Sequence, residues 1–482
     1  MNNKNQEICF KKEVLERIIK AFLSDKFEES VALIPFEMRP KGYEVHHRCC
    51  IHKERAILRD RVIAGLGFSI EADDEITALS SYAKKALERE YLDNKHLTLI
   101  ETACKGCVPD RIYITDLCQG CVATSCKTAC KFGAVNIING KAKIDSSKCR
   151  NCKMCISACP YNAIVKITVP CEDVCPVDAI KKNENNTAKI DYNICISCGK
   201  CVMACPFGAV HEKSQIIYIL KKIKDGKKVI AMTAPSMVGQ FSGSVYQLKS
   251  ALKKAGFYDI YEVAEGADIT ARREAHEFYN RINAGESFMT TSCCAGYSQF
   301  IKKHLPGLKD FVSNTKTPVY YTAEKIKAAY PDCITVFISP CVAKKSEVYE
   351  NADIDYVSNY EEIAALLSAK NITVSECDEE KFETESSKHG RSFCITGGVA
   401  AAVAAALFKG KESSVKPYIV NGLNKETIKK LKKMTDDKKC SEGSLVEVMC
   451  CEGGCISGNA VLCSYETARK AVKTLCDKSK DL

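Results

Sequence analysis

The chain has 482 residues, 46% of them hydrophobic, with 31 cysteines and a formal charge of +10. The length exceeds one ordinary core, so two or three domains are expected. No run of eighteen uncharged apolar residues occurs, which argues against a membrane span, and Met1-Asn2-Asn3-Lys4 leads into a charged helical pattern and not an apolar signal core, so the expected compartment is the cytoplasm.

In chain order, residues 1–100 read as a helical region. Apolar residues recur at helical spacing over Lys11–Leu23 and again over Glu75–Tyr91. Between them His46-His47-Arg48-Cys49-Cys50-Ile51-His52 gathers metal-binding residue types, but without the spacing of recognised zinc motifs, and a structural role is expected. Residues 101–213 are dense in cysteine. From 214 to 482 apolar strands alternate with helices: strands are expected at Lys227–Met232, Ser287–Thr291, Cys333–Ile338, Ser392–Thr396 and Leu445–Met449. Sites in such sheets gather at the carboxyl ends of the strands. The expected fold class is therefore multidomain α+β and α/β.

The cysteines fall in tight C-x2-C runs, which suit a shared metal cluster in a reducing compartment better than disulfides across so long a chain. Two runs fit C-x2-C-x2-C-x3-C-P in full: Cys149, Cys152, Cys155 and Cys159 before Pro160, and Cys195, Cys198, Cys201 and Cys205 before Pro206. A third run, Cys118, Cys121, Cys126 and Cys130, is followed by Lys131, and Cys171-x3-Cys175-Pro176 is half a motif. In such pairs three thiolates surround one 4Fe–4S cube and the fourth serves its neighbour. Cys149, Cys152 and Cys155 are thus expected to share a cube with Cys130; Cys118, Cys121 and Cys126 with Cys159; and Cys195, Cys198 and Cys201 with Cys175. Cys171 and Cys205 are left over, and Cys104-x2-Cys107 would complete a fourth cube with them, an assignment resting on counting alone. A row of cubes is an electron relay. Each cube with its thiolates carries about −2, so four or five would cancel roughly eight to ten positive charges, and nucleic-acid binding is not expected.

Three loops in the last half, each after an expected strand, bring further cysteines: Thr291-Ser292-Cys293-Cys294-Ala295-Gly296-Tyr297, Ser339-Pro340-Cys341-Val342-Ala343-Lys344-Lys345-Ser346-Glu347, and Glu447-Val448-Met449-Cys450-Cys451-Glu452-Gly453-Gly454-Cys455. Downstream of a cube relay, the three together resemble the signature loops of FeFe hydrogenases, from about residue 100 to the end. The resemblance implies ferredoxin-like 4Fe–4S modules followed by an α/β iron-hydrogenase catalytic domain. It implies three to four 4Fe–4S clusters and an H-cluster, a 4Fe–4S cube joined to a two-iron unit with CO, cyanide and azadithiolate. By motif, Cys294, Cys341, Cys451 and Cys455 would hold the cube, with Cys455 bridging to the two-iron unit. Lys344, Pro235 and Ser236 would meet the cyanides, and Met449 would pack beside them. Cys293 would pass protons to the cofactor, with Glu274, Glu277, Arg281 and Ser313 forming the path. The first three of these four share one helix face by their i, i+3 and i+7 spacing. The implied substrates are protons and hydrogen. The implied partners are ferredoxin or another low-potential electron carrier and the hydrogenase maturation proteins.

Ala295, Tyr297, Ser339, Val319 and the short Gly458-Asn459 depart from the best-known members. Ala295, Tyr297, Cys450 and Glu452 look more like the clostridial group B type. Two alternatives use the same scaffold: a hydrogen sensor and an iron–sulfur assembly protein. Neither an added signalling domain nor the loss of Cys293, Lys344 and Cys455 is seen, and a catalyst is the expected reading.

Overall fold

The computed structural model describes residues 3–45, 48–90, 94–104, 107, 111–407, 415 and 417–482. His46 and His47 lie outside the described residues. Their neighbours Cys49 and Cys50 are exposed, with sulfurs 3.8 Å apart.

The N-terminal part consists of helices Asn3–Leu23, Phe27–Met38, Ile51–Gly65 and Leu79–Glu88. The first begins well before the periodic stretch read from the sequence. Ile18, Ile19, Val31, Ile34 and Ile63 pack into a core that runs on through Ile216, Ile219, Tyr360 and Ile363 of the C-terminal half. The first hundred residues therefore cover a flank of the later sheet, since the two share one buried apolar face.

The cysteine-dense middle is built of short antiparallel pairs. Arg111–Ile114 pairs with Ile164–Ile167, Val135–Ile138 with Lys141–Ile144, Ile180–Lys182 with Ala188–Ile190, and Leu97–Leu99 with Val210–Glu212. Between them lie four- and five-residue helices at Ser125–Thr128, Met154–Ala158, Pro170–Asp173 and Lys200–Ala204. The module repeats down to its hydrogen bonds. Ala134, Ala179 and Ala209 each donate their N–H to the sulfur four residues back, that of Cys130, Cys175 and Cys205, at 3.3, 3.2 and 3.3 Å.

In the C-terminal half, two parallel sheets face one site. The first runs in the order Asp259–Glu262, Val229–Thr233, Ile334–Ile338, Tyr356–Ser358; the second in the order Met289–Thr290, Leu445–Met449, Pro417–Asn421. Val229–Thr233 and Leu445–Met449 are buried at every residue, as strands covered on both faces must be. Four of the five expected strands are present. Ser392–Thr396 is not one: Ser387 caps a helix over Lys388–Ser392 by accepting the Gly390 N–H at 3.0 Å, and another helix starts at Gly398. Too little chain lies between, and Ile395 makes only an isolated bridge to Gly454. The strands at Asp259–Glu262, Tyr356–Ser358 and Pro417–Asn421 are short and carry no strong pattern of their own.

The cysteine-dense segment is fastened to the C-terminal half at several points. Lys345 Nζ, buried, donates to the Lys213 carbonyl at 2.6 Å and to Glu212 at 3.1 Å. Lys303 Nζ reaches the Cys195 carbonyl at 2.7 Å. Gly199, at φ +74°, opens the helix Lys200–Ala204, and a Cβ there would meet Asn459 Cγ at 2.5 Å. Only glycine serves both the left-handed turn and that close approach. Asn459 in turn accepts the Val342 N–H at 3.1 Å, so this segment abuts two of the cysteine loops. Among the described residues, no helix is long and apolar enough to cross a membrane.

Candidate active site

The carboxyl ends of the parallel strands deliver four loops to one cavity. Pro235 and Ser236 follow Val229–Thr233. Cys293 and Cys294 follow Met289–Thr290, Cys341 and Lys344 follow Ile334–Ile338, and Cys451 and Cys455 follow Leu445–Met449. All of these line the cavity, as does Met449. Cys341, Cys451 and Cys455 each feel the charge of Cys294, and Cys451 also that of Cys341 and Cys455. Burial pushes the Cys455 thiol up to about 12, with the Cys294 charge adding to it. Four soft sulfur donors in one apolar chamber suit an iron–sulfur cluster and disfavour hard cations.

Lys344 supplies the positive charge. Its Nζ donates to the Cys293 carbonyl at 3.1 Å and to Glu347 at 2.5 Å. Burial alone would push the ammonium down, but the Glu347 carboxylate overrides it and holds Lys344 above its ordinary value. An ammonium has three donors, and among the described residues two are used, which leaves one for an anionic ligand. Ser236 Oγ is 2.7 Å from the Tyr360 hydroxyl.

From Cys293 a line of polar groups leads outward along the helix Val263–Asn283. Glu274 is fully buried; one carboxylate oxygen accepts the Ser292 N–H at 3.3 Å and the other has no hydrogen-bond partner among the described residues. Burial lifts this carboxyl to about 8, against the pull of Ser313 and Ser292. The Ser313 hydroxyl donates to Glu277 Oε2 at 2.8 Å. Burial would also raise Glu277, but the Asn314 N–H at 2.8 Å, Thr315, Ser313 and Arg281 outweigh it and leave the carboxyl below its ordinary value. Arg281 Nη1 reaches Glu277 at 3.4 Å. Two carboxyls near one hydroxyl, that of Ser313, are thus held in opposite states at pH 7, Glu274 neutral and Glu277 ionised.

In the middle segment Cys126 feels Cys121 and Cys159; Cys155 feels Cys130, Cys149 and Cys152; Cys201 feels Cys198, Cys195, Cys175 and Cys171. Cys171 feels Cys205, Cys104 and Cys107, the set reached only by counting. Among the described residues, no three His, Cys, Asp or Glu are arranged to hold a single metal ion, and none of the cysteines is in a disulfide.

Residues 227–459 match the family model described as iron only hydrogenase large subunit, C-terminal domain. Residues 142–165 match a 4Fe-4S binding domain and residues 166–216 the LdpA Fe-S cluster-binding domain. The periplasmic Fe hydrogenase large subunit of Nitratidesulfovibrio vulgaris is 30% identical over 371 residues, 66% of this chain and 85% of that one. The chain belongs to the iron-only hydrogenase family. Members are oxidoreductases acting on hydrogen. Iron hydrogenase 1 of Clostridium pasteurianum is 26% identical over 289 residues, 48% of this chain and 50% of that one, so the match spans half the length of that relative. A variant of the FeFe-hydrogenase HydA1 of Chlamydomonas reinhardtii is 20% identical, covering 56% of this chain and 89% of that chain at a TM-score of 0.44.

Sequence reasoning missed three participants in this hydrogenase site. Glu347 stands three residues from Lys344, a helical pairing distance that was available as a signal. Tyr360 and Asn314 reach the site from elsewhere in the fold and carry no such signal. Glu347→Gln strands a buried ammonium without its anion. The expected cost is about 3–5 kcal/mol of stability, read from urea unfolding of the cluster-loaded protein. Adding Lys344→Met is expected to recover most of it. An unchanged unfolding midpoint in the single variant would contradict the pairing.

Proposed function

We propose that this hydrogenase interconverts protons and hydrogen at an H-cluster held by Cys294, Cys341, Cys451 and Cys455, with Cys455 bridging to the two-iron unit. The observation that carries the reading is one cavity lined by four mutually interacting thiols, the Lys344 ammonium and the Cys293 thiol. When bound, the cluster supplies the redox change that makes or splits hydrogen. Its two-iron unit would come from hydrogenase maturation proteins. Lys344, with a donor to spare, would orient one cyanide, and Pro235 and Ser236 the other; Met449 would help keep water out. Four sulfur sets in the middle segment support four 4Fe–4S cubes, including one on Cys104, Cys107, Cys171 and Cys205.

Protons would move at named atoms. Cys293 Sγ offers its proton at the cavity. Glu274, neutral below pH 8, restores it; Ser313 Oγ passes the replacement from Glu277, which Arg281 holds at the outer end. Proton transfer is most effective when the relay group titrates near the working pH, and Glu274 does so. An intact line of this kind favours a catalyst over a sensor.

Electrons would come from ferredoxin or another low-potential carrier of acidic surface. Between Arg111 and Ile167 the chain has nine Lys and Arg against two Asp and no Glu, whereas Thr168–Gln215 has five against six. Lys148, Arg150 and Lys153 are exposed beside exposed Cys152. A basic collar around the outermost cubes steers an acidic partner.

Two expectations follow. Cys293→Ser assembles the cofactor but lowers methyl-viologen-linked hydrogen evolution at least about a hundredfold, and Glu277→Gln also slows it. In the native protein, evolution falls as pH rises through about 8, where Glu274 loses its proton. Near-normal rates in both variants, at cofactor content matched by infrared, would route the protons elsewhere. For the carrier, ferredoxin-linked turnover is expected to fall steeply with salt, and Lys148→Glu with Arg150→Glu to reduce its kcat/KM about tenfold or more while methyl-viologen turnover stays unchanged. Salt-independent ferredoxin kinetics would rule the collar out.

A further inference from the structure

Neither Cys49 nor Cys50 belongs to a sulfur set assigned to a cluster. Adjacent cysteines occur at 49–50, 293–294 and 450–451, and the first pair alone has both members exposed. Cys49 Sγ donates to Cys50 Sγ at 3.8 Å. Cys50 is the N-cap of the helix Ile51–Gly65, with extended backbone. The pair is held in place on both sides. Arg48, just before it, donates to Glu54 at 2.9 Å and to the Phe207 carbonyl at 3.3 Å. Glu54, one turn into the helix, also accepts from buried Arg39 at 3.4 Å, and its own N–H donates to the Cys50 carbonyl at 3.3 Å. The two sulfurs thus meet on a clamped segment. The Lys53 amide, the Cys49 thiol, the His52 amide and the Lys53 ammonium hold the Cys50 thiol below its ordinary value, since a helix N-terminus and a nearby cation both favour a thiolate. Among the described residues, no third His, Cys, Asp or Glu joins the two sulfurs to hold a metal ion.

We propose that Cys49 and Cys50 form a surface dithiol that exchanges with low-molecular-weight disulfides, Cys50 attacking and Cys49 closing the pair. The thiolate is the nucleophile in such exchange, and access decides which thiol is reached first. Cys50 Sγ attacks one sulfur of the small disulfide. That S–S bond breaks, a mixed disulfide forms on Cys50, and the first small thiol leaves. Cys49 Sγ, already beside Cys50 Sγ, then attacks it and expels the second small thiol. In balance, two cysteine thiols lose two electrons and become one disulfide, the small disulfide gains them and becomes two thiols, and the two cysteine protons end on the released thiols. Closing the pair brings the sulfurs from 3.8 Å to a bond of about 2.05 Å. A disulfide between adjacent residues is strained, and a strained, exposed disulfide is readily reduced. The modification is therefore reversible, and it lies next to the Arg48 contact with the segment that carries Cys205.

The test incubates the full, cluster-loaded chain with glutathione disulfide in the absence of oxygen, and follows each cysteine peptide by mass spectrometry while iron is counted. Cys9, exposed on the first helix, is the reference thiol in the same molecule. Cys50 is expected to react about threefold or more faster than Cys9, because a lower pKa raises the thiolate share more than it weakens the attack. In the native chain the peptide holding both cysteines is expected to end two hydrogens lighter, with no glutathione attached, and dithiothreitol to restore it. Cys49→Ser is expected to stop at the mixed disulfide on Cys50. Cys50→Ser is expected to leave Cys49 reacting no faster than Cys9. A native chain that stops at the mixed disulfide, or a Cys50 that reacts at the rate of Cys9, overturns the proposal. Iron lost in step with closure of the pair overturns it as well, because the two sulfurs would then be cluster ligands.

Discussion

Four thiols crowded into an apolar cavity cannot all ionise unless something takes up their charge. Cys341, Cys451 and Cys455 are all driven upward, chiefly by burial and then by neighbouring sulfurs, Cys294 among them in each case. Left alone they stay neutral; as ligands they must be deprotonated, and a metal centre does that as it binds. Much of the architecture serves this chamber. Two parallel sheets aim their carboxyl ends at it, so that loops far apart in the chain meet there. The Lys344 ammonium, balanced by Glu347, contributes positive charge inside the wall without leaving an unpaired ion.

The same constraint separates the traffic. Charge that changes at a buried centre must be delivered by one route and compensated by another. The cysteine-dense segment reaches the cavity on the side of Cys198 and Cys450, where Gly199 and Gly296 permit close approach of the two halves. The polar line through Glu274, Ser313 and Glu277 leaves from Cys293. Cys293 and Cys294 are adjacent, yet the first lies at the head of the polar line while the second accepts the Cys450 N–H. Two consecutive residues thus belong to the polar line and to the sulfur set respectively.

Much of this was legible in the chain itself. The C-x2-C spacing marked which cysteines lie on one tight loop, while the fourth member of each set came from the paired-motif rule or from counting. The i, i+3, i+7 spacing put Glu274, Glu277 and Arg281 on one face, and the helix bears it out. Four strands were visible as apolar runs because strands buried on both faces leave such runs. The fifth, at Ser392–Thr396, misled because a β-rich stretch squeezed between two helices has too little chain to pair as a strand. Contacts made across the fold stayed hidden: Tyr360 on Ser236, Asn314 on Glu277, Gly199 on Asn459. The N-terminal helices were legible one at a time, but not their shared core with the sheet, since periodicity shows which face is apolar and not what covers it.

The central claim is that the four-thiol cavity holds the two-iron unit through Cys455. Infrared spectroscopy of protein matured with the two-iron cofactor tests it most directly. The account predicts CO and cyanide bands in the native chain and their loss in Cys455→Ser, with the iron of the relay retained. Bands that persist unchanged in Cys455→Ser, or native protein that shows none after maturation, would contradict it.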